Sequence, residues 1–404
     1  MPVINARFTV REVCCAVDTV TNAGDTSPGL SRLTARAALV HDWFQGYHGA
    51  ERVADLMRRD LFAPGHEPDI FTFSAARELL PADLGRSIVR ESRLAQLPGV
   101  RQRGHDPGRW RYLLPYMPHY FRSLDLEDYD VVISSSHACA AHVRPRPDAF
   151  HAVYCYTPMR YAWMPETDER QLGRLGQFVF GGFRAWLRKV DFEAAQRPDV
   201  YLAISTAVQD RIRRFYGRDS VVVGAPVDVD DITRTEAKDK SMFLWVHRLV
   251  AYKRPDVVIE AFRDLPYRLT MVGIGPLEQT LRNRLPPNVE LRSWVSRKEL
   301  VRLYEQAVGF IHVGEEDFGI TMVEALAAAT PVIALNRGGA RDIVRPGIDG
   351  VLIAEPDSRL LRDAVKAVAT QAWDAPALVS QAQSFSRRCF LDRFLEQLPD
   401  VGAP

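Results

Sequence analysis

Lysine is scarce in this sequence, long apolar runs are missing and the net charge is nearly zero. Six of its 404 residues are lysines although 52 are basic, so arginine carries most of the positive charge. Fifty-one acidic residues balance the basic ones and leave a formal charge of +1. A general nucleic-acid-binding protein needs a basic surplus to neutralise phosphates, so this class is excluded. No stretch approaches ~18 uninterrupted apolar residues, and we expect no membrane-spanning helix.

The cysteines give no sign of a disulfide framework or a metal site. They form no C-x-x-C pair, their number is odd, and they are Cys14, Cys15, Cys139, Cys155 and Cys389. Such cysteines are typical of free thiols in a reducing compartment. The N-terminal region also lacks the apolar core of a signal peptide, because Asp18 ends the short run that begins at Val13. We therefore expect a cytoplasmic protein.

Short apolar strands alternate with helices in two sets along the chain. At roughly 150 residues per domain, the length predicts two or three domains. The first set of strands is 36–41, 69–73, 130–134, 149–155 and 200–204, and the second is 241–247, 268–272, 289–292, 308–313 and 331–334. This alternation is typical of βαβ units around a parallel sheet. The sequence therefore predicts an α/β fold with two doubly wound domains and a ligand in the cleft between them.

The predicted boundaries follow changes in composition. Residues 1–35 show no apolar period and are predicted to be a leader or loose arm. Residues 36–227 form the first domain, the charged segment 228–240 is a linker, and residues 241–385 form the second domain. Residues 386–404 contain a last helix, at about 391–398, for which we consider a return to the first domain.

The segment Gly314–Thr330, GEEDFGITMVEALAAAT, contains more candidate functional residues than any other. It follows a buried strand and opens a helix, so that Glu316 and Glu324 are expected to face one crevice. Unpaired amides at such a helix start attract an anion such as a diphosphate, and carboxylates beside them suit the hydroxyl groups of a sugar or ribose. The alternative is a solvated acidic loop followed by a glutamate that favours helix.

Two further strand ends of the second domain carry candidate residues. Arg248 and Lys253 in WVHRLVAYKR are placed to clamp phosphates, unless they are ordinary surface cations. Gly273 and Gly275 in MVGIGPL form a tight turn that is weak as a dinucleotide fingerprint, because the third glycine is missing. Another glycine-bearing loop is NRGGARDIV, residues 336–344.

The first domain has candidates at its own strand ends. Gly46, Gly49 and Glu51 follow the first strand, and His137 follows the segment SSS. The segment TPMRYAW, residues 157–163, comes after the next strand. His137 is a candidate donor to a substrate oxygen, although a lone histidine is more often structural.

Together these motifs resemble the two-domain GT-B glycosyltransferases of family 4. That family carries E-x7-E, matched by Glu316 and Glu324, and the segments G-R-L-x-x-x-K and V-G-x-G-P, matched by HRLVAYK and VGIGP. A G-G-x-E loop, a P-V-D segment and a G-G-A-x-[DE] loop are matched by HGAE, APVD and GGARD. The resemblance covers residues 36 to about 400. Within the family, SSSHACAAHV and YCYTPMRYAWMPE look like the mannosyltransferases of polysaccharide assembly.

Several residues depart from that subgroup. Tyr156 stands where histidine is usual, Met164 where aspartate is usual, and His247 replaces the usual glycine or serine before Arg248. The motifs that bind a nucleotide-sugar are complete. The resemblance therefore implies the fold and the reaction class of this chain more strongly than it implies which sugar is transferred.

The resemblance implies a retaining enzyme with a nucleotide diphosphate-sugar as donor. GDP-mannose is the favoured donor, and a hydroxyl of a saccharide, a lipid-linked or a small-molecule compound is the acceptor, in polysaccharide, glycolipid or glycoconjugate biosynthesis. No metal or other cofactor is expected, because positive side chains replace the cation. Arg248 and Lys253 would neutralise the leaving diphosphate, Glu316 would bind sugar hydroxyls, and His137 would lie near the reacting carbon.

The resemblance also implies the residues that surround the two substrates. Glu324 would bind the ribose. The residues implied in donor binding are Gly49, Gly273, Gly275, Val295, Phe318, Gly319, Ile320 and Glu324, and those on the acceptor side are Glu51, Arg160 and Tyr161.

Other functions stay open at this point. A glycoside hydrolase would use Glu316 and Glu324 as acid and nucleophile, a sugar-nucleotide epimerase would need no acceptor, and a non-catalytic scaffold would need neither carboxylate. The nature of the acceptor is also open.

The basic, aromatic segment 101–122 suits peripheral contact with an anionic membrane, on the inner face of the cell membrane, and such contact suits a lipid-linked acceptor. Pro115 and Pro118 would, however, interrupt a long helix in this segment. The alternative is a soluble acceptor such as a secondary metabolite.

Overall fold

The computed structural model describes residues 32–98, 100, 113–164, 174–232 and 238–399. These residues form two open parallel sheets, of seven and six strands, each in its own domain. The predicted α/β fold with two doubly wound domains is thereby confirmed. Most of the predicted leader and residues 101–112 of the basic, aromatic segment lie outside the described residues.

The N-terminal domain is built on a sheet with the strand order β3-β2-β1-β4-β5-β6-β7. Its strands are β1 Ala37–His41, β2 Asp69–Thr72, β3 Ile88–Arg90, β4 Val131–Ser136, β5 Phe150–Cys155, β6 Val200–Ala203 and β7 Val221–Val222. Its helices are α1 Gly49–Asp60, α2 Ala82–Ser87, α3 Met117–Arg122, α4 Arg160–Trp163, α5 Arg174–Ala195 and α6 Thr206–Tyr216.

The C-terminal domain has the strand order β10-β9-β8-β11-β12-β13. Its strands are β8 Asp239–Val246, β9 Arg268–Val272, β10 Val289–Arg292, β11 Ala307–His312, β12 Val332–Leu335 and β13 Gly350–Ile353. Its helices are α7 Pro255–Phe262, α8 Glu278–Arg282, α9 Arg297–Gln306, α10 Ile320–Ala327, α11 Ala340–Ile343, α12 Ser358–Thr370, α13 Ala375–Gln383 and α14 Arg387–Leu395.

Both faces of each sheet are covered, which explains why the central strands are apolar throughout. In β1, Ala37 and Leu39 pack into one core cluster while Ala38 and Val40 pack into another. A strand that buries both faces needs a continuous apolar run instead of an alternating one. The strand order reverses beside β1 in the first sheet and beside β8 in the second, and the crevices at these two points face each other.

Some elements differ from the sequence-based expectations. The last helix lies at Arg387–Leu395 instead of 391–398, and β8 begins at Asp239, inside the segment expected to be a linker. The strands β3, β7 and β13 are not among those expected from the sequence. β3 and β7 have only three and two residues, lie at the edges of their sheet and bury only one of their five side chains, so they are too short to stand out in the sequence.

The chain crosses between the domains a second time at its end. Val227 forms a bridge with Ser386, so the two crossings lie side by side. Beyond the second crossing, α14 packs against the N-terminal domain, with Phe390 and Phe394 at ring-centroid distances of 5.6 and 6.1 Å from Tyr154. The last helix thus belongs to the core of the first domain.

Candidate active site

A cavity of about 930 Å³ lies between the two domains, at the carboxyl ends of their strands. Residues that follow β5, β6, β8, β9, β10 and β11 line it, together with the start of α1. Ten of the residues singled out by sequence are in its wall: Gly49, Arg160, Arg248, Lys253, Gly273, Val295, Glu316, Phe318, Gly319 and Ile320. His137, Gly275, Glu324, Glu51 and Tyr161 are not among the described residues that line it.

The loop after β11 presents Glu316 to the cavity and then turns into α10. Gly319 makes this turn in a left-handed conformation, with a φ of 114°. Residues with a side chain rarely adopt this conformation, so the turn favours glycine, and a Cβ atom there would also displace the end of the Met322 side chain. No side chain caps the start of α10, and Ile320 and Thr321 in its first turn line the cavity. The site has the donor groups of an anion-binding helix start.

A second glycine loop braces Glu316 from behind. The amide of Gly339 donates to the carbonyl oxygen of Glu316 at 2.9 Å. Gly338 has a φ of 61°, and a Cβ atom on it would lie 2.0 Å from the same carbonyl oxygen. The loop that sequence analysis placed at 336–344 therefore supports the backbone of the acidic loop.

Lys253 and Arg248 lie on the wall of the cavity that the C-terminal domain forms, here called the C-terminal wall. Lys253 ends a short turn, Ala251–Lys253, and its ammonium contacts the Glu316 carboxylate. Burial and the guanidinium of Arg160 lower the pKa of Lys253 to about 7, while Asp317 opposes this shift and Arg248 adds to it. The Glu316 carboxylate also favours the charged amine, so the proton on Lys253 depends on where that carboxylate points.

Glu324 does not face the cavity as the sequence analysis expected. It lies in the second turn of α10, where its carboxylate accepts hydrogen bonds from the hydroxyl of Tyr304 at 2.9 Å and from Arg297 at 2.5 Å. Both partners come from α9, and the side chain is nearly buried. Its role toward a ribose stays a prediction.

The glycines of the MVGIGPL turn have a packing role that the sequence analysis did not foresee. A Cβ atom on Gly273 would lie 1.9 Å from the carbonyl oxygen of His247, and one on Gly275 would lie 2.5 Å from that of Leu249. The two strand-end loops of the domain are thus in backbone contact. Gly273 lines the cavity as well, whereas Gly275 does not.

His137 is fixed by an aspartate that the sequence analysis missed. Asp42 follows β1 and is fully buried, and its carboxylate accepts hydrogen bonds from the amides of His137, Ala138, Cys139 and Ala140 at 2.6, 2.9, 2.6 and 2.7 Å. Nδ1 of His137 lies 3.3 Å from the same carboxylate. Burial lowers the pKa of His137, and Asp42 opposes that shift. No local motif indicates Asp42, because its partners lie in the segment that follows β4, 95 to 98 residues further along the chain.

The three residues predicted on the acceptor side have different surroundings. Glu51 is buried in the first turn of α1, and burial raises its pKa. Tyr161 is half-buried in α4 and packs against the core. Arg160 lines the cavity and contacts the carboxylate of Asp317, which belongs to the other domain.

Asp317 and Arg211 were missed by the sequence analysis. Arg211 of α6 contacts the same Asp317 carboxylate and lies 3.5 Å from Glu315. Nearby, the carboxylate of Asp342 accepts hydrogen bonds from the amide and the hydroxyl of Thr206, at 2.8 and 2.6 Å, and so caps α6 from the other domain. These contacts join the domains across the cleft.

Two family models match the chain. Glycosyltransferase Family 4 matches residues 47–231, and Glycosyl transferases group 1 matches residues 229–384. The two matches follow one another and together cover well over half of the chain. This chain belongs to the family 4 glycosyltransferases. The resemblance found in the sequence is confirmed, and the protein is an enzyme that transfers sugar.

Relatives of this glycosyltransferase differ in how much of their length they share with it. O-antigen chain mannosyltransferase C of Escherichia coli is 23% identical over 368 residues, which are 86% of this chain and 91% of that protein. A D-inositol 3-phosphate glycosyltransferase of Xylanimonas cellulosilytica is 27% identical over 197 residues. That alignment covers 44% of this chain and 47% of the relative, about half the length of each.

Solved structures with the same fold span nearly the whole described chain. HepE of Anabaena in complex with UDP has a TM-score of 0.63 and 17% identity, over 89% of this chain and 98% of its own. Sucrose-phosphate synthase of Thermosynechococcus elongatus has a TM-score of 0.62 and 14% identity, over 89% and 94%. The GT-B fold of this glycosyltransferase is thereby confirmed.

Within the described ranges, no group of three His, Cys, Asp or Glu side chains is arranged to hold a metal ion. Within those same ranges, no helix combines the length and the apolarity needed to cross a bilayer.

Proposed function

We propose that this glycosyltransferase transfers a hexose, with retention of its anomeric configuration, from a nucleoside diphosphate-sugar to a hydroxyl group. The observation that carries the proposal is the C-terminal wall of the cavity, where Arg248, Lys253 and the uncapped start of α10 surround Glu316. Two cations and free helix amides suit a diphosphate, and a carboxylate suits sugar hydroxyls.

Stabilisation of the leaving group is the main contribution we assign to this wall. Negative charge grows on the diphosphate as its bond to the sugar breaks, and fixed charges in a shielded cleft stabilise it without having to reorganise. Lys253 would leave Glu316 and turn to the diphosphate, which frees the carboxylate for the sugar. An oxygen of the departing phosphate would then accept the proton of the attacking hydroxyl on the same face, which accounts for retention.

For the donor we favour GDP-mannose. The similarity to O-antigen chain mannosyltransferase C, along most of both chains, supports mannose. Trp294 and Ile274 line the cavity with exposed fractions of 76% and 57%, and such exposed apolar side chains suit the flat face of a nucleobase. HepE binds UDP-glucose in one solved complex, so UDP-glucose is the second donor to test.

For the acceptor we propose a saccharide or lipid-linked compound of polysaccharide, glycolipid or glycoconjugate biosynthesis. Gly49, Tyr156 and Arg160 of the N-terminal domain form the wall opposite the donor residues. Contact of the basic, aromatic segment 101–122 with an anionic membrane belongs to this proposal. A soluble small molecule is the second candidate acceptor.

The geometry disfavours the rival hydrolase. A glycoside hydrolase needs two carboxylates on either side of the bond that is cleaved. Glu324, the second carboxylate that such a hydrolase would use, is held by Tyr304 and Arg297 and does not line the cavity. Asp317 does line it, but its carboxylate is already paired with Arg160 and Arg211. The cations of the cavity would also have no task in hydrolysis.

The test is thermal stabilisation by a panel of nucleoside diphosphates and their sugar derivatives. We expect one nucleotide to raise the melting temperature by roughly 5 °C at a hundredfold excess over its Kd. Lys253→Ala should lose most of this shift, while Lys298→Ala, an exposed lysine outside the cavity wall, should keep it. Stabilisation by no nucleotide would refute the proposal, and equal shifts in both variants would refute the assignment of Lys253.

A further inference from the structure

A cluster of buried polar atoms without partners lies next to Glu316. It consists of Trp245 in β8, His247 directly after β8, and His312 at the end of β11. Nε1 of Trp245, Nε2 of His247 and both ring nitrogens of His312 are buried and have no hydrogen-bond partner. Buried polar atoms in proteins are nearly always hydrogen-bonded, so several unpaired atoms at one place require an explanation.

Ring packing fixes the orientation of the two histidines. The His247 ring lies edge-on to Trp245 and to His312, at centroid distances of 4.8 and 4.4 Å. Nε2 of His312 is then 3.9 Å from Oε2 of Glu316, and Nδ1 of His247 is 3.8 Å from Oε1. Both distances exceed the usual hydrogen-bond range by only about 0.6 Å.

Lys253 holds the Glu316 carboxylate away from the histidines. Its ammonium contacts Oε1 of Glu316. The proposed function requires Lys253 to turn to the diphosphate, and the half-buried carboxylate of Glu316 then loses its partner. A bound donor also displaces water from the cleft, and a charge that loses its water needs a new hydrogen-bond donor. Burial and Lys253 keep the pKa of His312 well below its ordinary value, so the ring is neutral and has one N–H to donate.

We propose that His312, held by His247, is a positioning residue that orients Glu316 for the donor sugar. Once Lys253 has turned to the diphosphate, Nε2–H of His312 donates to Oε2 of Glu316, and the other carboxylate oxygen faces the hydroxyl groups of the hexose. The proposal rests on the proposed function and adds to it the residues that recognise the sugar separately from the nucleotide. His247, which stands where the resembling subgroup has glycine or serine, would then hold the His312 ring in place.

The experiment compares the binding of GDP and of GDP-mannose by calorimetry, with UDP and UDP-glucose in parallel. In His312→Phe we expect the Kd of the nucleotide-sugar to rise about tenfold, the effect of one hydrogen bond to a charged group, with the Kd of the free nucleotide unchanged. His312→Gln should restore most of the difference, because its amide still donates to the carboxylate. The matched control is His151→Phe, which removes another buried imidazole at the start of β5, at the far end of that strand from the cavity.

The outcomes separate the two proposals. Equal weakening of nucleotide and nucleotide-sugar in His312→Phe would show a general structural role and overturn the inference, as would no weakening of either. Failure of the wild type to bind any nucleotide would overturn the proposed function together with this inference. Should His312→Phe not fold, His312→Asn replaces it, since asparagine is too short to reach Glu316.

Discussion

Lys253 is a cationic side chain in a buried position, and burial and neighbouring cations lower its pKa. It is one of six lysines in the chain, it is almost fully buried, and Arg160 and Arg248 act on it from two sides. Its position was predictable from the motif HRLVAYK. Its pKa was not, because Arg160 reaches it from the other domain.

A pH dependence of diphosphate binding follows from that pKa. Because the pKa of Lys253 is lowered to about 7, part of the protein carries a neutral amine at pH 8. A diphosphate favours the charged amine, so binding takes up a proton above pH 7, and affinity falls by up to about tenfold per pH unit. Calorimetry in two buffers of different ionisation enthalpy between pH 6.5 and 9 measures this uptake.

The matched variant for this prediction is Lys253→Arg. A guanidinium stays charged throughout this range, so the variant should bind without proton uptake. If wild type and variant take up the same number of protons, the proton belongs to another group.

At the scale of elements, the sequence predicts the central strands well but misses three of the four edge strands. β9 lies at its expected bounds, since a strand buried on both faces needs an apolar run that is visible in the sequence. The edge strand β10 was also found at its bounds, although its burial alternates. β13 has two half-buried side chains and begins at a glycine, and it was missed. The direction of the Glu324 side chain was also not predictable from the sequence. Its partners on α9 are set by helix packing and not by the E-x7-E spacing.

The last helix provides a prediction about stability. Phe394 of α14 is fully buried against Tyr154 of the first domain. Phe394→Ala should lower the free energy of unfolding by about 3–5 kcal/mol, since it leaves a cavity in a core that cannot collapse. Urea denaturation followed by tryptophan fluorescence measures the change.

The control for α14 is the exposed residue that directly follows the helix. Glu396→Ala removes a solvated side chain and should change the unfolding free energy by less than about 0.5 kcal/mol. A Phe394→Ala variant as stable as this control would contradict the assignment of α14 to the core of the first domain.

At the scale of the whole molecule, charged contacts hold the two domains together across the cleft. Asp317 receives Arg160 and Arg211, and Asp342 caps α6 at Thr206. These partners are 106 to 157 residues apart in the chain. No local pattern links such distant residues, so the sequence predicted a cleft but not what closes it.

Removal of these contacts should open the cleft. In Asp317→Asn combined with Asp342→Asn, we expect a larger radius of gyration in small-angle X-ray scattering, because both carboxylate contacts to α6 lose their charge. Wild type in high salt should shift in the same direction, since salt screens partly exposed pairs. Asp256→Asn breaks a surface pair with Arg254 inside one domain and serves as the control. Identical scattering of all three proteins would refute the role of these contacts.

The packing of α14 on Tyr154 also constrains how the protein is made on the ribosome. Domains usually fold as they emerge, the N-terminal one first. Here α14 completes the first domain only after the second domain has been synthesised, so the nascent chain exposes the aromatic surface around Tyr154 throughout the synthesis of the second domain. A truncated product that ends within the second domain would leave this aromatic surface exposed, and we expect chaperones or proteases to bind it.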